Sequence, residues 1–332
     1  MIVRLTLILG IFLLSSACGT SQGPNPLVNY PFAYQKLSPT DKDKLMNEVK
    51  AKYETLLGKK GFSGQILVAK NGEILFEDYK GFANYKSKDS LVPETPIHLA
   101  SVSKTFTGMA ALQLWEKDQL DLKASVDQYL PGFPYKNVNI EMLLSHRSGL
   151  PDYAYFLETK QYKSVRYKTK RGRWAKKLVL VKNTAPFRTG LYTNQDVLDF
   201  MIQRKPAIAA NPDRVFRYCN TNYVLLALIA DQITGGHGKY MEKHIFEKLG
   251  LKNTYYKIKQ GDSYRDRLVN GYWDRYSNGI VENVSVLQNT NVASMVGDDG
   301  IITTAEDAIL FLKGLMEGKL VSNESLTLMK EW

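Results

Sequence analysis

An Asn-Gly pair at 71–72 separates two short apolar runs, 65–69 and 73–77, and nothing else in the sequence constrains the fold as strongly. Both positions tolerate positive φ, which a two-residue hairpin requires, so the folded region opens with an antiparallel pair of strands. Helical patterns follow. Phe106, Met109, Ala110 and Leu114 recur at helical spacing. Residues 220–233 form a second apolar helix that stops before Gly235-Gly236, and 303–315 a third, with Thr304 as N-cap and Glu306 and Asp307 in its first turn. Upstream, 41–57 reads as an amphipathic helix with Leu45, Val49, Tyr53 and Leu56 on one face. An early hairpin followed by long helices predicts an α/β (α+β) domain over 38–332: a mixed sheet with a helical region over about 115–290. A chain of 332 residues with 44% hydrophobic content supports one such domain or two closely packed ones.

The N-terminus reads as a targeting segment. Arg4 precedes an apolar run over 5–14, too short to span a bilayer and suited to the core of a signal segment. Ser15-Ser16-Ala17-Cys18 resembles the lipobox of bacterial lipoproteins, with Ser15 where that pattern carries Leu. Residues 1–18 are therefore expected to be a lipoprotein signal peptide, with Cys18 as the lipidated first residue of the mature chain. Residues 19–37, with Gly, Ser, Pro and Asn, read as a tether. These readings place the protein in the bacterial cell envelope, anchored by lipid and facing the periplasm or the exterior. Cys219 is then the one remaining cysteine, so no internal disulfide is expected.

The net charge of +11 is local. Ten Lys and Arg residues lie between Lys160 and Lys182 with no acid among them, interleaved with Tyr162, Tyr167 and Trp174. A nucleic-acid-binding arm has this composition. So does a solvated loop or hairpin that touches anionic lipid or polymer, and an exported, tethered chain favours that reading. No nucleic-acid partner is expected.

Two strings carry chemistry. Ser101-Val102-Ser103-Lys104 is a Ser-x-x-Lys pair, which chance alone supplies about once in a chain this long. A helix starting at Ser101 puts Lys104 one turn later on the same face, and the Ser hydroxyl at a helix N-terminus that favours developing negative charge. A neutral Lys104 takes the Ser proton; a charged one holds a neighbouring base as an anion. The second string, Arg217-Tyr218-Cys219-Asn220, stands just ahead of the apolar helix. A phenol beside a lysine is a general-base candidate, and an Asn amide both donates to a substrate carbonyl and accepts from Lys104.

Together, in this order and separation, the two strings resemble class C β-lactamases and the related penicillin-binding-protein group of serine hydrolases. The segments 143–151 and 297–312 resemble the stretch between their motifs and the Gly-rich turn and helix before their final strands. The resemblance runs from about Leu45 to Trp332. It implies a β-lactamase/transpeptidase-like fold and an acyl-enzyme on Ser101, with Lys104 and Tyr218 moving protons and Asn220 positioning a small-molecule or peptide substrate. It implies no metal and no organic cofactor. The family's third motif, Lys-Thr-Gly or His-x-Gly on a late strand, has no counterpart before Trp332. The resemblance thus implies a C-terminally truncated chain with doubtful activity, and a catalytically inactive binding or sensor protein is the alternative. His237-Gly238 follows a helix and does not replace that motif; His98 and His244 lie elsewhere. His146, without a Gly-x-Ser-x-Gly elbow, reads as a structural histidine in a turn rather than the base of a Ser-His-Asp triad.

Overall fold

A computed structural model describes residues 34–58, 62–156, 159–170, 172–184, 193–256, 272–273, 282–283 and 295–331. The leader with Cys18, the tether up to residue 33 and the parts of the helical region over 257–271, 274–281 and 284–294 lie outside the described residues.

Helix α1 (Pro39–Leu56) begins two residues earlier than its apolar pattern suggests. Ser38 caps it by accepting from the Asp41 N–H at 3.1 Å, and Pro39 fits the first turn. It lies on the hairpin of β1 (Gly64–Lys70) and β2 (Glu73–Lys80): Tyr53 is buried against Phe76, 4.8 Å between rings, and its hydroxyl donates to Asp78. Leu45 and Val49 are half-buried but Leu56 is exposed, so the apolar face stops one turn short of the expectation. The hairpin turn is as read, with Asn71 at φ 51° and Gly72 at φ 74°.

A small hairpin, β3 (Phe82–Asn84) with β4 (Asp89–Ser90), leads into β5 (Ile97–His98). β5 pairs antiparallel with β11 (Ile301–Thr303), whose other edge pairs with β8 (Tyr255–Tyr256). Four further residues pair as β9 (Tyr272–Trp273) and β10 (Glu282–Asn283). The β5–β11 pairing ties the strand before Ser101 to the strand after Asp298, and thereby determines what faces the Ser101 helix.

The core surrounds two helices. In α2 (Ser103–Trp115) every residue from Phe106 to Leu114 is buried, and in α6 (Asn220–Thr234) every residue from Thr221 to Ala230. A helix buried on all sides must be enclosed by other elements. α3 (Ile140–Leu144), α5 (Asn194–Arg204) and α2 itself pack on α6. α4 (Tyr153–Phe156) follows α3, and α7 (His237–Met241) runs through a π-helical turn, Glu242–Phe246, into α8 (Glu247–Leu249). α9 (Ala305–Met316), capped by Thr304 as expected, and α10 (Asn323–Glu331) close the described chain. Phe106 of α2 stacks on Phe311 of α9 at 4.0 Å and meets Phe246 edge-on at 6.0 Å.

The region over 115–290 is not helical throughout. The basic insertion is a long antiparallel ribbon, β6 (Thr159–Lys168) with β7 (Trp174–Thr184), lying between α4 and α5. The ribbon is the hairpin alternative for this segment, and Val165 and Tyr167 alternating with Ser164, Arg166 and Lys168 have the period of a strand.

Candidate active site

Ser101 stands in a tight turn. Ala100 takes a left-handed φ of 46°, uncommon and strained for a residue with a Cβ, and a 3-10 turn over Ala100–Val102 passes directly into α2 at Ser103. The helix therefore begins two residues after the expected start. Ser101 is exposed, whereas Lys104, in the first turn of α2, is only 6% exposed.

A buried amine requires polar partners. The Lys104 Nζ donates to Ser101 Oγ at 3.2 Å and to the main-chain carbonyl of Asp298 at 2.8 Å. It also lies 5.0 Å from the Tyr218 ring centroid and 5.8 Å from that of Tyr223. The first pair of sequence candidates is therefore in contact.

The second pair is arranged differently from the expectation. Tyr218 is 47% exposed and offers Lys104 its ring face; its phenolic oxygen makes no hydrogen bond to Lys104 among the described residues. Asn220 is the first residue of α6, as the 220–233 helix predicts, and its backbone N–H donates to Asp152 at 2.6 Å. Among the described residues its amide accepts nothing from Lys104, which donates to Ser101 and Asp298 instead.

The loop carrying Tyr218 is held from behind by His146. Nδ1 accepts the Cys219 N–H at 3.1 Å, which leaves the ring proton on Nε2. Asn222 approaches the same nitrogen at 3.3 Å, and its own Oδ1 accepts from Ser148 at 2.6 Å. The imidazole lies against Tyr218 with 4.5 Å between rings. Burial, aided by the charge on Lys104, pulls the His146 pKa down to about 4, so the ring is neutral at neutral pH. With Nδ1 engaged by Cys219, His146 positions the Tyr218 loop. Gly149, at φ 67°, completes this corner: a Cβ there would meet the Ala210 carbonyl oxygen at 1.9 Å.

The turn over 297–300 supplies groups that the sequence reading did not single out. Gly297 sits at φ 100°, and a Cβ on it would stand 2.4 Å from the Tyr223 carbonyl oxygen. Thr107 donates to the Gly297 carbonyl at 2.8 Å, the Ile301 N–H donates to Ser103 Oγ at 3.0 Å, and Asn194 clamps both the N–H (2.8 Å) and the carbonyl (2.9 Å) of Val296. The Asp298 carboxyl is buried; it accepts from the Tyr153 hydroxyl at 2.7 Å on one oxygen, and the other has no hydrogen-bond partner among the described residues. Burial raises its pKa to about 6 against the pull of Lys104. The same burial, with Asp298 beside it, raises Tyr153 far above an ordinary phenol. The sequence signal for this turn was the Gly-Asp-Asp-Gly string within the 297–312 resemblance.

The other histidines are engaged elsewhere. His98 pairs with Asp299, His237 is buried with Nδ1 on the Tyr256 hydroxyl at 3.0 Å, and His244 lies against Tyr240. Among the described residues no cluster of His, Cys, Asp and Glu is arranged to hold a metal ion.

The Beta-lactamase family profile matches residues 49–332. The chain belongs to the Beta-lactamase family. Penicillin-binding protein 4* of Bacillus subtilis (strain 168) is 29% identical over 288 residues, covering 82% of this chain and 56% of that protein. A D-aminopeptidase of Brucella canis is 30% identical over 199 residues, covering 59% of this chain and 33% of the enzyme. The chain thus spans about half the length of the first of these relatives and a third of the second. Two solved structures share the fold. One is a penicillin-binding protein from Bacillus halodurans, with TM-score 0.62, 23% identity and coverage of 85% and 76%. The other is a D-amino acid amidase from Ochrobactrum anthropi SV3, with TM-score 0.63, 20% identity and coverage of 86% and 74%. The family is one of serine hydrolases with a β-lactamase fold, and the mixed helix-and-sheet architecture agrees with it.

Proposed function

We propose that the chain is a serine hydrolase that cleaves an ester or amide bond of a small molecule or peptide through an acyl-enzyme on Ser101. The observation that carries this reading is the 3.2 Å contact between Lys104 Nζ and Ser101 Oγ, with the amine anchored on the Asp298 carbonyl. Ser101 Oγ bonds to the acyl carbon as its proton passes to whichever member of the Lys104–Tyr218 pair enters the step without its own, the Lys104 amine or the Tyr218 phenolate. The tetrahedral adduct then expels the alcohol or amine, which takes that proton. Water attacks the Ser101 ester in a second cycle, releasing the acid and restoring the hydroxyl. Asn220, at the start of α6, is assigned to the substrate carbonyl. β-Lactams, D-amino-acid peptides and simple esters all fit this chemistry.

A fluorophosphonate or penicillin probe tests it. Wild type is expected to be labelled, Ser101→Ala not at all, and Lys104→Met at least about a hundredfold more slowly, the lower end of what loss of a general base costs. Equal labelling of Ser101→Ala removes Ser101 as nucleophile. Labelling by penicillin in a chain that turns over no ester or D-amino-acid amide favours a binding or sensor role, a reading supported by the lack, among the described residues, of a Tyr218–Lys104 hydrogen bond.

We further propose that the protein is an envelope lipoprotein held by Cys18, on the strength of the 5–14 apolar run and the small residues before Cys18. Cys18→Ser is expected to prevent labelling by a lipid precursor in cells. Undiminished lipid labelling of that variant refutes the anchor.

A further inference from the structure

The ribbon of β6 and β7 takes no part in the chemistry above, and it is unusual in what it exposes. Lys163, Arg166, Lys168, Lys170, Arg173, Lys176 and Lys177 are all exposed, and among the described residues none is in ion-pair contact with a carboxylate. Apolar side chains stand among them: Trp174 is 60% exposed, Tyr167 40% and Val165 37%. The two strands pack chiefly on each other. Among the described residues no third strand pairs with the ribbon, and an isolated two-stranded ribbon is marginal in water and gains nothing by displaying Trp and Tyr there.

The register shows where these groups point. Cross-strand partners share a face, so Arg166, Lys176, Lys168 and Trp174 lie on one side, and Val165, Lys177, Tyr167 and Ala175 on the other. One face of the distal half carries Trp174 with three cations, Arg166, Lys168 and Lys176, and the other carries Tyr167 and Val165 with one, Lys177. The turn between the strands adds Lys170 and Arg173. Apolar and cationic groups therefore surround the tip instead of forming one stripe, which suits a medium that encloses the tip more than a rigid partner that reads one face.

The rings are also covered in a particular way. Arg166 lies 5.2 Å and Lys168 5.6 Å from the Trp174 ring, and Lys177 lies 5.4 Å from that of Tyr167. With cations over their faces, the rings are poorly presented for stacking on nucleic-acid bases. The same pairing suits the headgroup layer of a bilayer, where amphipathic rings reside and cations meet anionic lipid.

We propose that the tip of the Thr159–Thr184 ribbon is a membrane-contact arm that inserts Trp174 and Tyr167 at headgroup level and sets its Lys and Arg side chains on anionic lipid. This contact is separate from the hydrolase reading and from any lipid at Cys18. The ribbon begins three residues after the α4 helix that carries Tyr153, so binding would hold the Ser101 site near the bilayer surface.

The test uses the full chain, with the N-terminal segment identical in every arm, and vesicles of phosphatidylcholine with or without about one-third phosphatidylglycerol. Each cation near such a surface contributes roughly fivefold in affinity. The quadruple variant Arg166→Gln, Lys168→Gln, Lys176→Gln, Lys177→Gln is expected to bind anionic vesicles at least a hundredfold more weakly than wild type. Trp174→Ser is expected to bind about tenfold more weakly, because it loses the buried ring surface. Both variants should keep wild-type probe labelling at Ser101, which shows that the fold is intact. Equal binding of wild type and the quadruple variant to anionic vesicles overturns the proposal. So does tighter binding to inorganic polyphosphate or duplex DNA than to anionic vesicles with no effect of Trp174→Ser, since that assigns the cations to a soluble polyanion.

Discussion

At Asp298 one residue serves two purposes. Its carbonyl orders Lys104, while its carboxyl is enclosed and, among the described residues, accepts one hydrogen bond, from Tyr153. Its pKa, raised to about 6 in the folded protein, implies stability that is present below about pH 4 and lost as pH rises through 6. His146 and His237, both pulled down to about 4 by burial, act in the opposite sense: their contribution is present above about 6.5 and lost as pH falls through 4. The two trends overlap and partly cancel in the wild type. Asp298→Asn, which retains an acceptor for Tyr153 without the charge, removes one of them. Urea unfolding should show the variant more stable than wild type at pH 8, by on the order of 2–3 kcal/mol, with the advantage shrinking toward pH 4. A difference of the same size at both pH values would show that the carboxylate charge is not its source.

At the scale of elements, the site is a junction between α2, the start of α6 and the turn over 297–300, and Gly297 is where the turn meets α6. Alanine there faces both a left-handed φ of 100° and a backbone oxygen at 2.4 Å, neither of which a rotamer change relieves. Gly297→Ala is expected to cost about 2–4 kcal/mol in stability and to slow acylation of Ser101 by tenfold or more, because displacing the turn moves the Asp298 carbonyl away from Lys104. Thermal unfolding and probe labelling measure the two effects, and a stable variant with unchanged labelling would show that the turn does not order the lysine. This junction also marks how far the sequence could be read. The Asn71-Gly72 hairpin, the apolar helices and the Ser101–Lys104 contact follow from spacing and turn chemistry, which are local. The Asp298 contact spans 194 residues of sequence and arises from the β5–β11 pairing, for which two- and three-residue strands leave almost no periodic signal. His146 was legible as structural, but its grip on the Cys219 N–H is a tertiary contact with no local pattern.

At the scale of the whole molecule, the architecture divides into a cooperative core and an appended ribbon. The Phe106, Phe246 and Phe311 rings join α2, the π-helical turn and α9 at a fully buried point. Among the described residues the ribbon has no comparable packing on the core. Phe106→Ala should therefore lower global stability by about 3–5 kcal/mol, the usual cost of emptying a buried phenylalanine site. In native-state hydrogen exchange, the slowest amides of α2 and α6 open only when the whole domain does, so they should accelerate by roughly a hundredfold to a few thousandfold in that variant. Amides of β6 and β7 open locally through separation of two strands, and their rates should stay unchanged. Ribbon amides that accelerate in step with α2 would place the ribbon inside the cooperative unit. Unchanged ribbon rates would mean that the arm can move against a lipid surface without loosening the helices that hold Ser101 and Lys104 together.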